Sequence, residues 1–170
     1  MNPSPRTRVS PSVELELIQA TIPEHIEAAR RLFREYGASL GFSLCFQSFE
    51  QELAELPGKY ALPSGRLLLA KMTNTEDFAG CVALRKLDGS VCEMKRLYVA
   101  PEFRGRKIGE LLADAIIAEA RNIGYQRMRL DTVPGVMDRA IAIYHARGFR
   151  EIPPYTTNPV PGAIFLELEL

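Results

Sequence analysis

The stretch that decides the fold runs from residue 93 to residue 112 and reads EMKRLYVAPEFRGRKIGELL. Its first part is an extended segment that ends before Pro101, and a helix with an apolar stripe begins near Ile108. Two glycines and three cationic side chains lie around the junction: Arg104, Gly105, Arg106, Lys107 and Gly109. A helix start carries unpaired N–H groups and a partial positive charge, and glycines let an anion approach the backbone. The stretch therefore predicts a phosphate-binding turn between a strand and a helix.

This turn differs from two common nucleotide-binding signatures. It lacks the Gly-Lys-Ser/Thr ending of a Walker loop, and it does not have the Gly-x-Gly-x-x-Gly spacing of a dinucleotide fingerprint. On its own residues it is equally compatible with a solvated basic helix start. The choice between these interpretations depends on the rest of the chain.

Composition indicates an ordinary globular protein. The 170 residues suit one domain, and 46% of them are hydrophobic and 25% charged. Basic and acidic residues balance at 21 each, so no net field favours nucleic acid or an anionic membrane as a partner. No apolar run approaches the ~20 residues of a membrane span, and the N-terminus lacks the apolar core of a secretory signal. We therefore expect a cytoplasmic protein; whether it forms a homodimer stays open.

The N-terminal segment and the cysteines complete this outline. Residues 1–12 are rich in Pro, Ser and Arg, which predicts a disordered tail before a single domain over residues 13–170. The three cysteines match neither a metal-ligand spacing nor a paired-disulfide spacing, so we interpret them as reduced core or wall residues. They are Cys45, Cys81 and Cys92. With only two histidines in the chain, no metal site is predicted.

The N-terminal half predicts a strand, two helices and then antiparallel strands. Thr21 is expected to cap the first helix, with Pro23 in its first turn. Asp88-Gly89 predicts a tight hairpin, because both residues tolerate positive φ. The predicted elements are strands at 13–17, 67–70, 79–84 and 91–99, and helices at 21–40 and 47–56.

The C-terminal half alternates helices and strands, which requires crossover connections and a mixed sheet. Its predicted elements are helices at 108–119, with Gly124 as C-cap, and 138–146, and strands at 127–132, 149–152 and 163–170. The expected fold class is therefore a mixed α/β (α+β) domain. It has a central, mostly antiparallel sheet of about seven strands flanked by about four helices.

The segment from Glu93 to Gly105 closely resembles the fourth strand and pyrophosphate loop of the GNAT superfamily of acetyl-CoA-dependent N-acetyltransferases. That family's loop reads Gln/Arg-x-x-Gly-x-Gly/Ala, and Arg104 and Gly109 match its first and last positions. Lys107 replaces the inner glycine, so it must adopt either an ordinary φ or a strained one.

A second block is similar to the family's downstream helix and following strand. It reads Ala140-x-x-x-Tyr144-x-x-x-Gly148-Phe149. Met137 stands where many members carry an asparagine, so one polar contact to the cofactor is lost. The order of the predicted elements extends the resemblance to nearly the whole chain, and the expected fold is GNAT-like.

The resemblance implies that the chain binds acetyl-CoA as a co-substrate, without a metal. The backbone at Leu97 and Val99 would pair with the pantetheine arm like an added strand, and the amides of residues 106–109 would hold the pyrophosphate. The residues implied to contact the cofactor are Leu97, Val99, Arg104, Gly105, Arg106, Lys107, Ile108 and Gly109.

Two catalytic residues follow from the same resemblance. Tyr144 would protonate the departing CoA thiolate; the alternative is an aromatic residue that only packs. Glu93 would act as general base toward the amine, while a salt-bridged strand acid is the alternative. In a regular strand Glu93 shares a face with Leu97 and Val99, and a bulge would break that count. Burial is expected to raise the pKa of Glu93 unless Lys95 or Arg96 offsets it.

The expected reaction is acyl transfer from acetyl-CoA to an amine of a small molecule or peptide, by direct attack in a ternary complex. A non-catalytic acyl-CoA sensor and the transfer of a longer acyl group are the alternatives. The resemblance implies an acceptor pocket formed by residues 36–49 and 155–161. The aromatic residues of the first segment are explained equally well by helix packing. The sequence does not name the acceptor.

Overall fold

A mixed sheet organises residues 14–170, the part of the chain that the computed structural model describes. The predicted tail and Val13 lie outside the described residues. Within them the strands are β1 (Leu15–Gln19), β2 (Arg66–Met72), β3 (Phe78–Asp88), β4 (Val91–Val99), β5 (Arg127–Thr132), β6 (Arg150–Ile152) and β7 (Ile164–Glu169). The helices are α1 (Pro23–Ser39), α2 (Phe49–Glu55), α3 (Ile108–Ile123) and α4 (Asp138–Ala146). Short 3₁₀ turns occupy Cys45–Gln47, Gly58–Tyr60 and Pro101–Phe103.

The sheet has the order β1-β2-β3-β4-β5-β7-β6. Its neighbours pair antiparallel except β4 and β5, which are parallel because α3 crosses over between them. The mostly antiparallel, seven-stranded sheet with four helices that the sequence predicts is thus confirmed. In residues 14–170, no helix has the length and apolar character needed to cross a bilayer.

Apolar side chains cover both faces of the sheet. On the front face, the stripe of α3 packs on β2, β3 and β4, with Leu112 and Ile116 fully buried. On the back face, α1 places Leu32 and Phe33 against the same strands. Burying both faces explains why β2 and the first part of β3 read as nearly continuous apolar runs. Cys81 and Cys92 are buried as expected, but Cys45 is exposed, because it lies in the 3₁₀ turn before α2.

Local signals set the ends of several elements. Asp88 pairs with Val91 across the β3–β4 turn, where Gly89 has a φ of 48°, as the predicted hairpin requires. The cap of α1 differs from expectation. Its N-cap is Ile22 rather than Thr21, and no side chain in residues 14–170 caps it. Pro23 fixes the first helical φ instead, which suffices for a helix stabilised by its buried face.

The β3–β4 ladder contains a bulge at Arg96. Tyr98 pairs with Cys81, and the next pair joins Lys95 to Ala83, so β4 carries one extra residue between them. Arg96 has a left-handed φ of 61°. The extra residue reverses the alternation of side chains along the rest of β4.

This reversal corrects a prediction about Glu93. Met94 faces the front of the sheet before the bulge, and Leu97 and Val99 face the same side after it. Glu93 therefore faces the back. The count based on a regular strand, which put Glu93 on one face with Leu97 and Val99, is wrong because the bulge lies between them.

The parallel pair β4–β5 is short. Its register joins only Val91–Glu93 to Arg127–Arg129. Beyond these residues the two strands diverge, and within the described chain the later part of β4 has no neighbouring strand on its β5 side. The divergence opens a gap through the middle of the sheet.

Candidate active site

A long groove of about 830 Å³, the front groove, lies between the end of β4, the start of α3 and the length of α4. Of the residues that the resemblance implies for the cofactor, all except Arg106 line it: Leu97, Val99, Arg104, Gly105, Lys107, Ile108 and Gly109. The guanidinium of Arg106 lies over the Phe103 ring, 5.6 Å from its centroid. The groove also passes along the free edge of β4.

The turn at the start of α3 takes the strained of the two backbone conformations foreseen for it. Lys107 is the N-cap of α3 and has a left-handed φ of 61°. This conformation costs a residue other than glycine roughly 1–2 kcal/mol. No side chain of residues 14–170 caps the helix, so its first N–H groups are available to an anion in the groove.

Gly109 has a packing role at this helix start. A Cβ there would lie 3.3 Å from Ile143 Cδ1 and 3.7 Å from Val99 Cγ2. A larger residue at this position would therefore push α3 away from α4 and β4. Nearby, Arg104 Nε donates to the Val99 carbonyl at 3.0 Å, which fixes the turn to the end of β4.

A narrow cavity of about 50 Å³, the gap cavity, lies where β4 and β5 diverge. Tyr144 lines it from α4, together with Met94 and Leu97 of β4 and Leu130 of β5. It shares Leu97, Met137 and Ala140 with the front groove. The gap cavity thus adjoins the groove within the sheet.

A third cavity of about 330 Å³, the back cavity, lies on the opposite face of the sheet. It is formed by α2, the turns on either side of α2, β3, β4, β5 and the loop between β6 and β7. Phe46, Gln47, Lys95 and Asp131 line both this cavity and the gap cavity. The three cavities therefore adjoin one another in a row from one face of the sheet to the other.

A model of the acetyltransferase (GNAT) family matches residues 22–149. The chain belongs to the GNAT family. An uncharacterized N-acetyltransferase of Schizosaccharomyces pombe is 38% identical over 150 residues, which cover 88% of this chain and 91% of the relative. The recognition of the family and the prediction of an N-acetyltransferase enzyme are thereby confirmed.

Solved structures agree on the fold. A GNAT-family acetyltransferase from Staphylococcus aureus superposes with a TM-score of 0.73 at 20% identity, covering 91% of this chain and 98% of that one. The PaiA N-acetyltransferase from Thermoplasma acidophilum, solved in complex with coenzyme A, has a TM-score of 0.69 at 19% identity. That match covers 92% of this chain and 99% of the other. GNAT proteins of this fold therefore include one solved with coenzyme A bound.

Tyr144 occupies the gap cavity of this GNAT domain as a buried side chain. Its ring packs on Phe149 with the centroids 5.6 Å apart. Burial, and then the nearby Tyr36 and Asp131, raise the pKa of Tyr144 well above that of an ordinary tyrosine. The phenol therefore keeps its proton at neutral pH and can donate a hydrogen bond to an anion. Packing and donation are compatible for this residue.

Glu93 lies in the wall of the back cavity and is 1% exposed. Its carboxylate accepts hydrogen bonds from Arg85 Nε at 2.8 Å and from the Tyr155 hydroxyl at 2.6 Å, and Lys95 Nζ lies 3.6 Å away. Burial alone would raise its pKa, but the charges of Lys95 and Arg85 and the two hydrogen bonds hold the pKa below that of an ordinary glutamate. Of the two offsetting cations foreseen, Lys95 takes part and Arg96 does not.

Arg96 belongs to a different cluster, which joins α2 to the bulge. Its guanidinium donates to both carboxylate oxygens of Glu52, at 2.9 and 3.1 Å, and Tyr60 donates to Glu52 at 2.9 Å. The rings of Tyr36 and Phe49 lie 5.8 and 5.2 Å from it. This cluster fixes one wall of the back cavity.

Both segments expected to hold the acceptor contribute to the back and gap cavities. The first does so through Tyr36, Phe42, Leu44 and residues 46–48, and the second through residues 156–158. Sequence reasoning missed Arg85 and Asp131 and the whole contribution of α2. A usable signal was present: Arg127, Arg129 and Asp131 alternate with apolar residues in a strand that the predicted order places inside the sheet. Charged residues on one face of a central strand indicate a polar cavity or an ion-pair network on that face.

Proposed function

We propose that this GNAT enzyme binds acetyl-CoA in the front groove and transfers the acetyl group directly to the amine of a small polar molecule. The row of three adjoining cavities across the sheet is the observation that carries this function. A donor in the front groove and an acceptor in the back cavity would meet in the gap cavity beside Tyr144. The back cavity, at about 330 Å³, is of a size that suits a small ligand.

The front groove suits coenzyme A in both backbone and charge. The first N–H groups of α3 and the exposed cations beside them would bind the pyrophosphate. The backbone of Leu97 and Val99, on the free edge of β4, would pair with the amides of the pantetheine arm, as an added strand does. Met137 stands where an asparagine would make a polar contact with the cofactor. Its sulfur instead accepts a hydrogen bond from Thr132 Oγ1 at 3.3 Å.

The chemical step needs a proton donor at the sulfur and a proton acceptor at the amine. Tyr144 would supply the donor, because its phenol stays protonated and lines the cavity where the thioester would lie. Glu93 as general base stays a prediction. Its low pKa and three engaged partners favour instead a role in holding β3, β4 and the β6–β7 loop around the acceptor.

The test combines binding and turnover on one preparation. Calorimetry should detect acetyl-CoA binding, and mass spectrometry should detect acetylated product from a panel of small primary amines. Tyr144→Phe should lower kcat by roughly 100-fold with an unchanged Kd for acetyl-CoA, since the hydroxyl acts on charge that develops in the transition state.

Tyr125→Phe is the matched control. Tyr125 is also buried and donates to the Ser64 carbonyl at 2.7 Å, but it lines none of the three cavities. If Tyr144→Phe turned over at the wild-type rate while chemistry is rate-limiting, Tyr144 would have only a packing role. Binding of acetyl-CoA without transfer to any amine would favour the alternative of a non-catalytic acyl-CoA sensor. Faster turnover of longer acyl-CoAs would show that the natural donor is not acetyl-CoA.

A further inference from the structure

We propose that Asp131 is the group that receives the acceptor amine and takes its proton. This role rests on the acetyl transfer proposed above and identifies the acceptor as a cationic primary amine. Asp131 lies on β5 beyond Arg129, the last β5 residue that pairs with β4. It is half-buried at the point where the strands diverge.

The position of Asp131 between two cavities is the first observation. Its side chain lines the gap cavity, which Tyr144 also lines, and it lines the back cavity. Among residues 14–170, no other carboxylate lines both. Asp131 therefore lies between an amine bound in the back cavity and an acetyl group beside Tyr144.

The second observation is that the other acids of the back cavity are already hydrogen-bonded to neighbouring side chains. Glu93 is bonded to Arg85 and Tyr155, and Glu52 is bonded to Arg96 and Tyr60. The remaining acid of the back cavity, Glu55, is exposed and accepts from Gln51 at 2.8 Å. Glu93 and Glu52 thus already have cationic partners, and Glu55, whose partner is neutral, does not line the gap cavity.

Asp131 itself has a neutral partner. Asn158 Nδ2, in the β6–β7 loop, donates to Asp131 Oδ2 at 2.9 Å. Within residues 14–170, no Lys, Arg or His nitrogen lies within 4.0 Å of its carboxylate. A half-buried carboxylate oriented by an amide and lacking a counterion favours an ammonium ligand.

None of the other charged and titratable groups that surround Asp131 in residues 14–170 forms an ion pair with it. They come from β4, α1, α4, β5 and the β6–β7 loop: Lys95, Tyr36, Tyr144, Arg129 and Tyr155. The cationic Lys95 donates to Gln47 at 2.8 Å and pairs with Glu93, and Arg129 pairs with Glu167 at 2.7 Å. Both cations are therefore directed to other partners.

The protons balance over one turnover. The ammonium gives one proton to Asp131, which passes it to water in the back cavity. The neutral nitrogen then bonds to the acetyl carbon as the bond from carbon to sulfur breaks. Tyr144 gives its proton to the sulfur and regains one from the nitrogen, which has become cationic. The products are the amide and the CoA thiol, and one proton is released.

Asp131→Asn tests this role, because it keeps the shape and the bond to Asn158 but removes the charge. With the best aliphatic primary amine of the wild-type panel, kcat/KM at pH 7 should fall by roughly 100-fold. The loss should shrink as pH rises and more amine arrives neutral, and it should be much smaller for methoxyamine, which is largely neutral at pH 7. The Kd for acetyl-CoA and the melting temperature should change little.

Asp88→Asn, in the exposed β3–β4 turn, is the control for a lost carboxylate and should keep wild-type kinetics. Wild-type kcat/KM in Asp131→Asn, or a loss that is equal at every pH and for both nucleophiles, would overturn the role. The same pH-dependent loss in Glu93→Gln alone would move the role to Glu93. Failure of the wild type to acetylate any amine would end both this role and the proposed transfer. An active wild type with any of the contrary results above would end only the role of Asp131.

Discussion

The front groove and the back cavity are built in opposite ways. The groove is lined by two stretches, residues 97–110 at the end of β4 and the start of α3, and residues 135–147 of α4 and the loop before it, together with Ser39 and Leu40. The charged side chains of the turn at residues 104–107 are exposed. The back cavity is made by side chains from distant parts of the chain, joined in two buried networks around Glu93 and Arg96. One region offers main-chain groups to a ligand, and the other offers a set of fixed side chains.

This difference predicts how each region responds to substitution. A backbone site tolerates changes of side chain, provided that the turn keeps its conformation. A network of buried charges does not, because removal of one partner leaves the other charge buried without compensation. We therefore expect substitutions in the back cavity to affect both stability and acceptor use, and those in the groove to affect chiefly cofactor affinity.

The largest expected effect comes from Glu52→Gln. Arg96 is 4% exposed, and Glu52 is its counterion, so the variant leaves a buried guanidinium without its carboxylate. The free energy of unfolding should fall by about 3–5 kcal/mol. Denaturant titration measures it, and Glu35→Gln, in the exposed pair with Arg31, is the control with an expected change below about 0.5 kcal/mol.

Equal effects of the two variants would break the contrast between the regions. The ion pair of Arg96 with Glu52 would then contribute little to the free energy of unfolding, and the wall of the back cavity would not depend on it. A loss in Glu52→Gln should also raise the KM for the amine while the Kd for acetyl-CoA stays near that of the wild type.

The contrast also explains which parts of the molecule could be predicted from the sequence. The groove follows from contiguous residues, since a strand, a glycine-containing turn and a helix start are local patterns. Helix and strand order was predictable for the same reason, including the hairpin at Asp88-Gly89. The back cavity joins residues that are far apart in the chain, such as Glu93 and Tyr155, and no local pattern specifies which of them meet.

Two backbone features illustrate the limit. A bulge is a tertiary compromise, and here Arg96 takes a left-handed φ because Glu52 and two aromatic rings hold its side chain. Its position decides which face Glu93 occupies: the sequence identified a bulge as what would break the count along β4, but not whether a bulge forms. Lys107 is the other case, where the sequence identified the choice of φ but not its outcome.

A smaller effect, on stability and pH, is expected for Glu93→Gln. Because the folded protein holds the pKa of Glu93 below its ordinary value, the stabilisation is present above that ordinary value and is lost as pH falls through the lowered pKa. At pH 7 the variant should lose roughly 1.5–3 kcal/mol, the range for hydrogen bonds to a charged group. Denaturant titrations between pH 7 and pH 3 should show the difference from wild type shrinking toward the acid end.

Glu151→Gln, an exposed acid on the edge strand β6, is the control and should follow the wild type at every pH. A difference between Glu93→Gln and wild type that persists unchanged to pH 3 would mean that the charge of Glu93 contributes nothing. The back cavity would then be held by shape and neutral hydrogen bonds.

The smallest effect is expected in the groove, from Lys107→Gly. Glycine adopts the left-handed φ of this position without the strain that lysine carries, although it adds entropy to the unfolded chain. The variant should be roughly 0.5–1 kcal/mol more stable, which corresponds to about 1–4 °C in Tm for a chain of this size. It should bind acetyl-CoA only a few-fold more weakly, because the lost cation is exposed and the amides that would bind the pyrophosphate remain.

Arg106→Gly is the matched control. It also removes an exposed cation from the turn, but the backbone of Arg106 is not left-handed, so it should lower Tm slightly instead of raising it. Opposite signs in Tm with similar, small losses of affinity would sharpen the description of the groove as a backbone site. A Tm that falls in both variants would show that Lys107 bears no strain, and a large loss of affinity in either would move pyrophosphate binding from the backbone to that side chain.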